Sequence, residues 1–119
     1  MKIIKSKKVL KEILLEWLPD RTFVDSEEEF VLEDFLDVKI GFNCQELTPR
    51  QLLDACKLFG WGNVAIEFEQ FRSGTDTIYF HVKEMPQVKE DTWMPFKNFD
   101  EFSLVPMQDG RVWFRLWWD

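Results

Sequence analysis

The chain is short of cysteine, histidine and positive charge, and each shortage closes a class of function. Two cysteines, Cys44 and Cys56, and one histidine, His81, occur in 119 residues. A structural zinc site draws four ligands from such residues, so no zinc set can be assembled. The cysteines form no C-x-x-C pair, and no D-x-D-x-D-G loop offers a calcium site. The expectation is a chain with no metal and no cofactor, and with both thiols reduced. Lysine and arginine number 15 against 22 aspartates and glutamates, giving a net charge of −7 and a pI near 4.7. Direct nucleic-acid binding needs a basic stripe, and docking on anionic lipid needs a basic patch. Neither is expected here.

Long apolar runs are missing too. Lys2, Lys5, Lys7 and Lys8 look like the basic start of a leader, but residues 9–18 are interrupted by Lys11, Glu12 and Glu16. No secretory apolar region follows, and no run approaches the ~20 residues of a membrane span. The reading is cytoplasmic. G-x-S-x-G, H-E-x-x-H and the phosphate-cradling glycine patterns are also absent, and Gly60-Trp61-Gly62 has the wrong spacing for them. The reading therefore leans away from an enzyme.

Aromatic residues, by contrast, are abundant: twelve Phe and six Trp. A chain of this length with that much bulky apolar surface builds one core without staples. Leu10, Ile13, Leu14, Trp17 and Leu18 share one helical face, which predicts a helix over residues 6–18 with Ser6 as N-cap. Ser26 and Glu29 form a capping box for a second helix over residues 26–35. Leu36, Val38, Ile40 and Phe42 then alternate with polar residues, which predicts a strand. Thr48, Pro49, Gln51 and Gly60 delimit a third helix over residues 49–59.

Two hairpins complete the pattern. Residues 64–71 and 77–83 flank a five-residue loop; with Phe71 opposite Thr77, Glu67 faces His81 and Glu69 faces Tyr79. Residues 102–107 and 111–118 flank Asp109-Gly110, a signal for a two-residue turn. That turn pairs Gln108 with Arg111 and Pro106 with Trp113. The expected fold is a single α+β domain, 1–119. About three helices pack on a mostly antiparallel sheet built from two C-terminal hairpins plus one earlier strand.

Three places draw a functional reading. Asp20, Asp25, Glu27, Glu28, Glu29, Glu33, Asp34 and Asp37 stand against Arg21 alone, a local net of −7 that equals the charge of the whole chain. The plain reading is a solvated helix face; the functional one is a docking surface for a basic protein. In the terminal hairpin, the expected register gathers Trp113 and Trp117 with Phe102 and Leu104, laced by Arg111 and Arg115. Trp and Arg are enriched in binding hot spots. Such a face is covered by the chain itself, by a partner, or by a second copy in a homodimer. Finally, Glu67 opposite His81 is either a surface ion pair or the polar part of an aromatic pocket for a small molecule or a reaction. The favoured expectation is a non-catalytic, inhibitor- or immunity-like interaction domain. It would dock Asp25, Glu27, Glu28, Glu29, Glu33, Asp34, Asp37 and the Trp-rich hairpin on a basic partner.

Overall fold

The computed structural model describes residues 2–17, 32–39, 47–67, 75–82, 96, 99–106, 108 and 110–118, with the backbone alone at residues 16 and 17. Its elements are β1 (Lys2–Ile3), α1 (Lys7–Trp17), α2 (Pro49–Phe59), β2 (Val64–Ile66), β3 (Thr77–Phe80), β4 (Glu101–Pro106) and β5 (Val112–Trp117). A 3-10 turn, Leu32–Phe35, lies between the helices. The architecture is α+β, with a five-stranded antiparallel sheet in the order β1-β2-β3-β5-β4.

Local chemistry sets the helix ends. The Ser6 hydroxyl accepts from the Val9 N–H at 3.3 Å and starts α1. The Gln51 carboxamide oxygen accepts from the Thr48 N–H at 2.8 Å at the start of α2, and Pro49 brings a helical φ with no N–H to satisfy. Gly60 ends α2 with φ +97°, and its N–H donates to the Cys56 carbonyl. The Asn63 side chain donates to the Phe59 carbonyl at 2.8 Å, taking up another orphan acceptor of the last turn.

Both helices bury their apolar stripes on one face of the sheet. Leu10, Ile13 and Leu14 of α1 and Leu52, Ala55 and Cys56 of α2 join Val64, Ile66, Ile78, Phe80, Phe114 and Leu116 in one core. Fully burying each large side chain contributes about 1.5–3 kcal/mol. The opposite face has a smaller core of Ala65, Tyr79 and Trp113, flanked by Ile3 and Val105.

Several expectations are corrected. Among the described residues there are two α-helices, not three. The helix expected over residues 26–35 shows in its described part only the 3-10 turn; residues 26–31 lie outside the described set. The strand expected from Leu36 is a turn through residue 38, and residues 40–42 lie outside. Leu36 and Val38 spend their apolar side chains against the main core, and the Leu36 carbonyl accepts from the Arg50 N–H at 2.9 Å. Alternation here serves a turn docked on α2. The early strand of the sheet is instead β1, held by Lys2↔Ile66 and Ile3↔Ala65.

The first hairpin pairs Val64 with Phe80, Ala65 with Tyr79 and Ile66 with Ile78, four residues from the expected register. A shift of four keeps every side chain on its expected face, because the side-chain period is two. The hairpin's registry is fixed at one end by His81 N–H donating to the Asn63 carbonyl. At the other end the Thr75 hydroxyl accepts from the Thr77 N–H and donates to the Thr77 carbonyl.

Candidate functional site

The hairpin of β4 and β5 is where sheet and surface meet. Its pairs run from Glu101↔Trp117 to Pro106↔Val112. This is one residue away from the register that a two-residue Asp109-Gly110 turn would impose. A two-residue turn would carry the ladder past Pro106, which has no N–H to give it. The ladder ends at Pro106 instead, residues 107–111 make the connection, and Gly110 takes φ +84°. A one-residue slip turns a strand over. Phe102 and Leu104 therefore lie beside Phe114 and Leu116, on the helix-bearing face, and not beside Trp113 and Trp117.

The consequence is a row of rings. Phe59 of α2 stacks on Phe80 at 4.6 Å, Phe80 on Phe114 at 5.1 Å, and Phe114 on Phe102 at 5.3 Å. The row starts in the core and ends in solvent. Phe102 is 40% exposed, Leu104 51% and Val112 47%. These three form an apolar strip on the part of the sheet that α1 and α2 leave uncovered.

The other face is occupied. Trp113 is 0% exposed, so at this position the chain itself supplies the cover. The Arg111 guanidinium lies 4.7 Å over its ring, and the His81 ring is 5.8 Å away. Among the described residues, the Trp113 indole N–H meets no acceptor. Arg111 donates to the Asn63 side-chain oxygen at 2.8 Å. Trp117 is half-buried beneath Arg115, 6.0 Å from its ring, and Arg115 pairs with Glu101 at 3.5 Å. The four predicted hairpin anchors thus make contacts within the chain, and Trp113 has no surface to offer.

Glu67 and His81 do not meet. Glu67 lies opposite Thr77, to whose carbonyl its N–H donates, and its carboxylate accepts from the Tyr79 hydroxyl at 3.0 Å. Burial, followed by the neighbouring Glu67 charge, raises the Tyr79 pKa. His81 Nδ1 is 2.9 Å from the Val112 carbonyl oxygen. A carbonyl only accepts, so Nδ1 carries the proton in that bond. Four residues of an extended strand, about 13 Å, separate the position facing Glu67 from His81. No shared pocket is formed by that pair.

The acidic block is partly matched from within. Lys7 Nζ donates to Glu33 Oε1 at 2.8 Å, and this bond holds the Glu33 carboxyl below its usual pKa. Arg50 grips Asp37 with two parallel bonds of 2.8 and 3.0 Å, which lower the Asp37 pKa and raise that of Arg50. Asp34 is exposed. Asp25, Glu27, Glu28 and Glu29 lie outside the described residues, as does Cys44. Burial pushes the Cys56 thiol up to about 12, which makes it an inert core group.

Among the described residues no three His, Cys, Asp or Glu side chains come together to hold a metal, and no helix is long and apolar enough to cross a membrane. The sequence puts Phe102 and Leu104 on the Trp113 face and Val112 in the core; in the structure all three share the helix-bearing face and are exposed. Alternation in β4 was visible, but which face it served depended on a single-residue register. Compared with known proteins, the chain matches no family model, no curated protein and no solved structure.

Proposed function

We propose that this chain is a cytoplasmic, non-catalytic protein-interaction domain, inhibitor- or immunity-like, that docks on a basic protein partner. The observation that carries the reading is the exposed strip of Phe102, Leu104 and Val112 at the end of a buried ring stack. A rigid apolar edge of this kind is an anchor that loses little side-chain freedom on binding. Each half-exposed side chain contributes about 1 kcal/mol when a partner desolvates it. The charge of −7 supplies long-range attraction to a basic surface. Exposed carboxylates, with Asp34 the example at hand, set the orientation.

The test is site-specific photo-crosslinking in the native cell. A photoreactive residue at Leu104 is expected to give one discrete adduct with a protein of high pI. Val112→Asp should remove that adduct, and raised salt in a gentle extract should weaken it. The reading fails if Leu104 yields no discrete adduct, or the same mixture as an exposed control position on α2, Asp54.

A further inference from the structure

We infer that the Trp61 corner, where the end of α2 meets β1, docks an acidic segment of another polypeptide. The segment sets an apolar side chain against Trp61 and its carboxylates toward Lys5 and Lys57. This site is separate from the β4–β5 strip, and neither reading rests on the other.

The corner holds one ring in solvent on a fixed backbone. Trp61 is 41% exposed, and Leu58, three positions earlier, is 57% exposed. Stopping α2 requires one glycine at most. Here glycines on both sides of Trp61 take positive φ, +97° at Gly60 and +89° at Gly62, a conformation that residues with a Cβ rarely adopt. Bonds from three directions fix the turn. From α2, the Gly60 N–H donates to the Cys56 carbonyl at 2.9 Å, and the Asn63 N–H donates to the Gly60 carbonyl at 3.1 Å. From beside β1, the Ile4 carbonyl accepts from the Gly62 N–H at 2.9 Å. From the start of β5, Arg111 donates to the Asn63 side-chain oxygen at 2.8 Å and lies 3.5 Å from the Gly62 carbonyl oxygen. A Trp on a backbone so held has two side-chain torsions left to freeze on binding, which makes it a low-cost anchor.

Charge identifies the occupant. Lys57 is exposed, four positions before Trp61, and Lys5 is exposed and directly follows Ile4, whose carbonyl holds Gly62. The one carboxylate of α2, Asp54, sits a turn further back, where it acts on Arg50. At physiological salt, charges more than about 8 Å away are largely screened. A partner at contact therefore meets these lysines and not the net charge of −7. Carboxylates are attracted at this corner and basic segments are turned away from it. Single-stranded nucleic acid stacks successive bases on aromatic rings along a basic groove, and anionic lipid calls for a larger lysine cluster. One exposed ring between two lysines is a point of contact and suits a peptide.

The experiment titrates the full chain with a short end-blocked peptide that alternates leucine with glutamate, and follows the indole N–H signals by NMR. The Trp61 signal, assigned by its loss in Trp61→Phe, should shift with a Kd of about 1 mM or tighter. Trp61→Ala should weaken binding about tenfold or more, with its melting temperature reported alongside. Lys5→Glu together with Lys57→Glu should weaken it roughly tenfold. That doubly reversed chain should instead bind the same peptide with lysine in place of glutamate. Leu104→Asp, on the strip, should leave the titration unchanged. An acidic peptide that does not move the Trp61 signal overturns the inference. So does an affinity that ignores the two lysine reversals or falls as far with Leu104→Asp. A thymidine oligonucleotide or a vesicle of anionic lipid that moves the Trp61 signal at lower concentration than the peptide overturns it too.

Discussion

β3 and β4 are neighbours of the same strand, β5, and each carries three large apolar side chains, yet every residue of β3 is buried and none of β4 is. Thr77-Ile78-Tyr79-Phe80 lies inside the sheet, with the main core on one face and the Trp113 cluster on the other. Phe102-Ser103-Leu104-Val105 lies at the rim, beyond the reach of α1 and α2. Burial is therefore dictated by place in the layers and not by hydrophobicity of the segment. Apolar residues left at the rim stabilise the fold little and are available for other purposes.

The largest effect that tests this contrast is on stability. Phe80 and Phe102 are members of one ring row, stacked through Phe114. Phe80→Ala should cost about 3–5 kcal/mol, because it opens a cavity between α2 and the sheet. Phe102→Ala should cost less than about 1.5 kcal/mol, since much of the ring already faces water. Urea titration with an unchanged m-value reads both. Equal losses would show that the hairpin is as much a part of the core as β3.

Two of the three described glycines at positive φ, Gly60 and Gly110, sharpen the same comparison. Gly60 closes α2 in the covered half, and a Cβ there would stand 3.0 Å from the Asn63 side-chain nitrogen. Gly110 lies in the hairpin connection, where a Cβ would meet nothing within 4 Å. Both alanine variants pay about 1–2 kcal/mol of backbone strain. Gly60→Ala also displaces Asn63 from the Phe59 carbonyl, adding about 0.5–1.5 kcal/mol. Thermal unfolding should rank Gly60→Ala below Gly110→Ala.

Trp113 gives a smaller, counter-intuitive effect. Its indole N–H is buried and, among the described residues, without an acceptor. Leaving a donor unpaired costs about 1–3 kcal/mol. Trp113→Phe removes that penalty while losing volume, so the net change should stay within about 1 kcal/mol. A loss of several kcal/mol would mean that the N–H is bonded in solution.

What was legible in the sequence follows the range of the interaction that decides it. α2 was readable to the residue, because Thr48, Pro49, Gln51 and Gly60 act within one turn of the helix ends. The hairpins were readable as alternation, and an error of four in the first left its faces intact. The faces of β4 were not readable, because Asp109-Gly110 argued for a two-residue turn, whereas the ladder ends at Pro106↔Val112 in a register shifted by one residue. β1 is two residues long and exists only because β2 accepts it, so nothing local announced it. The acidic block is plain from the charge count, but in its described part Glu33 is matched by Lys7, 26 positions away, and Asp37 by Arg50, 13 positions away. Sequence spacing carries no trace of such pairs.

Those two pairs give the smallest and most specific prediction, since they separate the covered half from an outward acidic field. Glu33 and Asp37 have folded pKa values lowered by Lys7 and Arg50 respectively. A lowered folded pKa means that the unfolded chain binds the proton first. The stabilisation is thus complete above the ordinary carboxylate range and is lost as pH falls through the lower folded values. Both side chains are exposed, so the loss is small and shrinks with salt. Carboxyl NMR titration of Arg50→Gln should return Asp37 to its ordinary range and leave Glu33 in place; Lys7→Gln should do the reverse. If neither carboxyl moves, the pairs are not populated in solution, and the acidic block presents its charge to solvent undiminished.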